Sequence, residues 1–318
     1  MNYEPITHTM CDRPLVRLPS GRDVSVPVHR YDGGDGPTVY IQAAQHGIEL
    51  NGSATLRRLH GALSGGSIAG TVVVVPVVNP LAFDHRSYMM PAEYDAINSN
   101  LNRVWPGDSG GTLQERLAAA VWDVVSAADA AIDLHTGTPE TLEHVRHFVG
   151  HGDARAFAEA FGTEYIITDS FVETDGDASK GTFRAAAAEA DIPAITVELS
   201  NSRYVSDSSV QAGLDGIRNV LRTASVLEGR PAPPPAQTVL EREGGSVTAT
   251  ESGLFEPRRE IAVGDPITEG EPIGSIHSPS TFERLETVTA PAGGVVYSLA
   301  RGSVVVAGER VSGIGAPA

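Results

Sequence analysis

Apolar residues fall in short, well separated runs: Pro37 to Ala44, Ala127 to Asp133 and Ile192 to Val197. Runs of this length with branched side chains, bounded by glycine or polar residues, read as buried strands. Between them lie alanine-rich stretches with helical periodicity, such as Leu113 to Ala128 and Gly213 to Leu227. Strands alternating with helices predict an α/β/α sandwich over residues 1–228. The rhythm breaks at Gly229-Arg230-Pro231-Ala232-Pro233-Pro234-Pro235-Ala236. Proline fixes an extended backbone, so 229–240 reads as a linker or a strap along the surface. Beyond it come Ser246 to Thr250, Gly253 to Pro257, Pro272 to His277, Glu286 to Ala290, Gly294 to Ser298 and Ser303 to Val306. Short strands at regular spacing predict a small all-β, barrel-like unit over 241–318.

Each of the three long apolar runs ends in polar residues suited to one chemistry. They are Gln45-His46-Gly47-Ile48-Glu49, Asp133-Leu134-His135-Thr136-Gly137 and Thr196-Val197-Glu198-Leu199. Sites in α/β sheets gather at the carboxyl ends of strands. Catalytic zinc takes three protein ligands, two His and one Glu among the known sets, and keeps a fourth position for water. It polarises a carbonyl and lowers the pKa of its water to roughly 7. His46, Glu49 and His135 are the candidate ligands for one zinc ion per chain. Glu198 is the candidate base that takes the water's proton and hands it to the leaving nitrogen. His46 and Glu49 share one face if the chain turns helical after the first strand.

The ordered set Gln45-His46-Gly47-Ile48-Glu49-Leu50-Asn51-Gly52, Asn79-Pro80, Asn100-Leu101-Asn102-Arg103-Val104-Trp105-Pro106-Gly107, Asp133-Leu134-His135 and Val197-Glu198 resembles the succinylglutamate desuccinylase/aspartoacylase family, relatives of the zinc carboxypeptidases. The resemblance spans roughly residues 36–315. It implies a zinc-carboxypeptidase-like α/β/α sandwich with a mixed sheet, with His46, Glu49 and His135 on zinc and Glu198 as general base and acid. It also implies that Asn102 and Arg103 hold the substrate's carboxylate, which suits arginine's planar fork of donors. Asn100 stands where relatives often have Asp, removing a negative charge. An oxyanion-stabilising arginine is expected between Asn79 and Asn102. Arg86 is the sole arginine there and is the candidate, although Tyr88 lies nearer the expected place. Leu199-Ser200-Asn201-Ser202 replaces glycines that many relatives carry. Val288-Thr289-Ala290-Pro291-Ala292-Gly293-Gly294-Val295-Val296 resembles half of a biotinyl/lipoyl-like barrel, but 181–318 contains no lysine to carry a cofactor.

Other histidines compete for the metal. His144, His147 and His151 cluster in sequence, but in a strand His144 and Arg146 share one face while His147 points to the other. His144 and Arg146 could reach the substrate pocket, as could the segment Lys180 to Arg184. His277 reads as a surface residue.

A net charge of −17 argues against nucleic acid or an anionic membrane as partner. Of 23 basic residues only Lys180 is a lysine, and with few aromatics this suggests a salt-adapted protein. Cys11 is the single cysteine, so no intrachain disulfide forms. Residues 1–13 lack the apolar core of a secretory signal, and Val72 to Val78, interrupted by Pro76, is far too short to span a bilayer. A cytoplasmic enzyme that hydrolyses the amide of an N-acyl amino acid is expected, homo-oligomeric assembly being possible. The rival readings are a zinc carboxypeptidase acting on short peptides and a non-catalytic binding module on the same fold.

Overall fold

The computed structural model describes residues 1–137, 140–170, 179–241 and 245–318. The chain opens with β1 (Glu4–Pro5), β2 (Thr7–Arg17), β3 (Asp23–Asp32) and β4 (Gly34–Ala43), then α1 (Leu50–Leu63), β5 (Ser67–Val75) and α2 (Pro80–His85). A 3-10 turn at Leu101–Arg103 leads to α3 (Leu113–Val125), β6 (Ala130–Gly137), β7 (Glu140–Thr141), β8 (His144–Phe148) and α4 (Ala154–Phe161). Next come β9 (Tyr165–Asp169), α5 (Phe183–Glu189), β10 (Ala194–Asn201), α6 (Asp207–Thr223) and β11 (Thr238–Glu241). The remainder is all β: β12 (Ser246–Thr248), β13 (Gly253–Pro257), β14 (Pro266–Ile267), β15 (Pro272–His277), β16 (Arg284–Thr289), β17 (Gly294–Leu299), β18 (Ser303–Val305) and β19 (Arg310–Pro317).

The large sheet runs β11-β9-β8-β10-β6-β4-β5-β3-β2. Strands β5, β4, β6 and β10 are mutually parallel, whereas β8 meets β10 and β3 meets β5 in antiparallel fashion, so the sheet is mixed. The parallel core explains the near-continuous apolar runs: these strands are covered on both faces. On one face Val39, Ile41, Ile132, Leu134, Ile195 and Val197 pack with residues of α1, α4 and α6. On the other, Tyr40, Val73, Val75 and Ala131 pack with α3 and α5. The result is a three-layer α/β/α sandwich. Helix α3 starts at a reciprocal capping box between Thr112 and Glu115, and α6 is capped by the Ser206 hydroxyl, so both starts are written locally. Helix α6 begins at Asp207, ahead of the expected Gly213, because Ser206 supplies that cap.

All six strands expected after the linker form, joined by two more, β14 and β19. Strands β16-β15-β13-β18 make an antiparallel sheet, and β14, β17, β19 and β12 a second set, both closing on a core that includes Phe255, Ile273, Ile276, Val296 and Ile314. The proline-rich segment has no regular structure until β11, which pairs in parallel with β9 and antiparallel with β19. The terminal unit is therefore bonded to the main sheet. A second tie lies beside the carboxyl end of β6, where β7 pairs with β17 and Arg301 meets Glu140 at 2.7 Å.

Close approach of α1 to the sheet is what brings its first turn over the strand ends. A Cβ on Gly52 would stand 2.9 Å from the Cβ atoms of both Ala43 and Leu134. Gly52→Val should therefore push α1 off the sheet and cost about 1–3 kcal/mol in urea unfolding. An unchanged unfolding midpoint would contradict this packing.

Candidate active site

Strands β4, β6 and β10 deliver the candidate residues to one edge of the sheet. Glu198 sits directly beside His135 in the β10/β6 ladder and opposite His144 in the β10/β8 ladder. His46 and Glu49 do not lie on a helix, as their spacing had suggested. The chain leaves β4 through Ala44 in the left-handed region, with φ of 57°, and turns so that Glu49 N donates to His46 O; α1 starts only at Leu50. Asn79 fixes this turn from outside. Its Nδ2 donates to Gln45 O at 3.0 Å while its Oδ1 caps α2 at Ala82 N. Gly47 is required here, since a Cβ would meet Ala82 O at 2.1 Å. Asn51 ties the start of α1 to the end of β10, donating to Leu199 O and accepting from Ser206 N.

Within this frame Glu49 is clasped by two imidazoles. His46 Nδ1 lies 2.8 Å from Oε1 and His135 Nδ1 2.9 Å from Oε2, and all three side chains are buried. Asn100 Oδ1 sits 3.2 Å from His46 Nε2, and Asp133 Oδ2 2.9 Å from His135 Nε2. An N–H on each outer nitrogen satisfies these oxygens and leaves the lone pairs on the two Nδ1 atoms, both aimed at a carboxylate. Lone pairs facing lone pairs at such distances call for a cation between them, and outer-shell acceptors that fix the tautomer are what metal-binding histidines use. The ligand atoms of His46, Glu49 and His135 lie within 4.8 Å of one another, so this donor set fits a zinc ion. Asp133 is itself held by Gln45 Nε2 at 2.7 Å and Gln42 Nε2 at 3.0 Å, and Gln45 Oε1 accepts from the Trp105 indole. Protons on the two imidazoles supply the same positive charge: burial raises the pKa of Glu49, but the charges of His46 and His135 so protonated outweigh it and hold the carboxyl at about 2. His135 goes the other way: burial lowers it, and Asp133 and Glu49 lift it well above the usual imidazole range.

Glu198 stands next to this cluster with a buried Oε2 that has no hydrogen-bond partner among the described residues. Burial, with the Glu49 charge behind it, keeps its carboxyl above the usual range against the pull of His135, Arg146 and His46. Two further polar atoms on the same side are buried and without partners among the described residues, His144 Nε2 and the Tyr297 hydroxyl. Their rings meet edge to face at 5.9 Å. His144 Nδ1 is 2.9 Å from Leu142 O and must donate to it, so Nε2 carries the lone pair. Burial and the Arg146 charge push this imidazole down to about 3, keeping it neutral.

Asn102 and Arg103 lie in the 3-10 turn that Asn100 caps. Asn102 Oδ1 accepts from Phe183 N at the start of α5, which directs its Nδ2 end to donate elsewhere. Arg103 is exposed, its Nη1 on Asn102 O. Arg86 caps the carboxyl end of α2, exposed, and among the described residues no hydrogen bond or ion pair of its side chain ties it to the cluster. Tyr88 is the residue of that segment that touches it. Its ring stacks on His46 at 4.0 Å although the residue is partly exposed, and desolvation against the cluster, with the charges of Glu49 and Glu198, raises its phenol, opposed by Arg103 and by Arg310 of β19. Arg146 and Arg184 both bind Asp169, at 2.9 and 2.6 Å, forming an ion triad at the base of this region. His144, His147 and His151 do not converge: His147 Nδ1 turns to Phe148 O, and His151 packs against the Phe148 ring. His277 bonds the Ser275 hydroxyl in the terminal unit. Tyr297 left no signal in the sequence, because it reaches the site only through the docking of β17 on β7.

A family model for the succinylglutamate desuccinylase/aspartoacylase catalytic domain matches residues 35–224. An N-alpha-acetyl-L-2,4-diaminobutyric acid deacetylase from Halomonas elongata is 30% identical over 281 residues, 83% of this chain and 79% of that protein. Among solved structures, the ectoine utilization protein EutE (DoeB) from Ruegeria pomeroyi, product-bound, superposes with a TM-score of 0.85 at 24% identity, covering 99% of this chain and 96% of its own. A succinylglutamate desuccinylase/aspartoacylase from Rhodobacter sphaeroides gives 0.84 at 25% identity over 99% and 96% of the two chains. The chain belongs to the succinylglutamate desuccinylase/aspartoacylase family.

Proposed function

We propose that this protein is a zinc-dependent deacylase that removes a small acyl group, acetyl first among them, from the α-nitrogen of an amino acid. The observation that carries this reading is the convergence of the two Nδ1 atoms of His46 and His135 on the Glu49 carboxylate, beside the Glu198 oxygen that lacks a partner among the described residues. His46, Glu49 and His135 would hold zinc, which when bound supplies Lewis acidity to a water and to the acyl carbonyl. Glu198 then accepts the water's proton and returns it to the departing amine. Its raised pKa suits both halves of that shuttle, since it must give the proton up again near neutral pH. Arg103 and the Nδ2 end of Asn102 take the substrate's α-carboxylate.

The His144 Nε2 lone pair and the Tyr297 hydroxyl offer an acceptor and a donor for a polar substrate side chain. A second amino group is one such side chain, and the Halomonas elongata relative is named for a diamino acid. The net charge of −17 favours approach of a cationic substrate. Pairing of β17 with β7 sets the terminal unit against this side of the site, and a wall there favours small amides over the peptides of a carboxypeptidase.

A screen of acetyl, succinyl and aspartyl derivatives of amino acids tests this. We expect the Nα-acetylated diamino acids to give the highest kcat/KM, and a preference for longer peptides would overturn the assignment. On the best substrate Glu198→Gln should lower kcat by at least ~10²-fold with zinc content unchanged. The acid limb of kcat/KM in the parent should lie above the ordinary glutamate range, because the base works only when deprotonated and its pKa is raised.

The oxyanion is assigned to the segment ending at Tyr88, with Arg86 as its candidate by sequence and Tyr88 as its candidate by position. Tyr88→Phe should reduce kcat on the order of 10²-fold with little change in KM, the signature of a donor engaged in the transition state. Arg86→Ala should stay within about tenfold of the parent. The reverse ranking would return the role to Arg86.

A further inference from the structure

His8 of β2, His29 of β3 and His60 in the last turn of α1 form a second histidine cluster, apart from the first. In the β2/β3 ladder His8 pairs with Tyr31 and Met10 with His29, so His8 and His29 are diagonal neighbours on one face. That face is the one α1 covers: Tyr31 packs in the same cluster as Leu56, Leu59 and Leu63, and His60 joins the two histidines beside it. Ring centroids are 5.4 Å apart for His8 and His29, 5.0 Å for His8 and His60, and 6.2 Å for His29 and His60. One nitrogen from each ring lies within 4.8 Å of the others, and His8 Nε2 stands 3.1 Å from His29 Nδ1. Ligand nitrogens at about 2.0–2.1 Å from one tetrahedral zinc stand a little over 3 Å apart, which is the spacing of His8 and His29, and His60 has to close in only slightly to join them.

We propose that His8, His29 and His60 bind a divalent transition-metal ion, zinc foremost, through three imidazole nitrogens with the remaining position open to solvent. The donor set decides the class of ion. Three neutral imidazoles suit zinc, copper or nickel, while the absence of a carboxylate from the set disfavours calcium and magnesium. The Tyr31 hydroxyl, 2.8 Å from His60 Nδ1, orients that ring as outer-shell partners of metal-bound histidines do. His60 lies 11 residues beyond Glu49 along α1, about 16 Å at 1.5 Å per residue, so this ion cannot share the catalytic one's ligands. It would staple the edge strand β2 to β3 and α1, stabilising the folded chain by its binding free energy.

The test uses untagged full-length protein equilibrated with zinc and then freed of excess metal. Elemental analysis should give two zinc per chain for the parent, one for His8→Ala/His60→Ala with deacylase activity retained, and one for His135→Ala with activity lost. A zinc content that does not fall from the parent to the His8→Ala/His60→Ala variant would overturn the proposal. Should that variant fail to fold, copper(II) added to the zinc-loaded parent decides: an electron paramagnetic resonance spectrum with nitrogen hyperfine coupling from three imidazoles supports the site, and its absence refutes it. Loss of the deacylase activity in the parent itself would count against the first site and leave this one standing.

Discussion

Everything at the active end of this molecule depends on the carboxylate of Glu49 being held between two imidazole Nδ1 atoms in a buried place. A buried carboxylate alone is costly, and it is tolerated here because cationic charge, from protons or a metal, is built in on both sides. The outer nitrogens are equally committed, one to Asn100 and one to Asp133, so the rings cannot rotate away without losing a bond. Asp133 is held in turn by Gln42 and Gln45, and Gln42 accepts from Tyr40 at 2.9 Å. The network runs back into the sheet, and the rigidity of the parallel strands is passed on to the ligands.

Much of this site was legible in the sequence because parallel strands end abruptly. An apolar run that stops at His46, His135 or Glu198 places those side chains at one edge, whatever loops follow. The runs were continuous because helices cover both faces, so their ends were easy to find. Asn79, Asn100 and Asn51 were visible only as parts of a family pattern. Their work proves structural: a clamp on Gln45, a partner for His46, and a tie from α1 to β10. The helical placement of His46 and Glu49 was misread, because a left-handed Ala44 and a tight turn achieve the same convergence, and nothing in the local sequence announces an alanine in that conformation.

What stayed hidden shares one cause, contact between residues distant in sequence. Tyr297 and Arg310 approach the site through pairing of β17 with β7 and β19 with β11, and β19 itself, interrupted by Gly313 and Gly315, does not read as a strand. His8, His29 and His60 come from three elements. The alternation Val24, Val26, Val28 against His29 and Tyr31 shows the two faces of β3, yet no pattern says that α1 brings His60 over the second of them. Register and docking decide both cases, and a single sequence does not carry either.

The most direct test of the central claim is anomalous diffraction at the zinc edge from crystals of the zinc-loaded protein. A peak coordinated by Nδ1 of His46, Nδ1 of His135 and the Glu49 carboxylate is expected, with Asn100 and Asp133 still on the two Nε2 atoms. Zinc bound through either Nε2, or no peak among these three side chains, would contradict it.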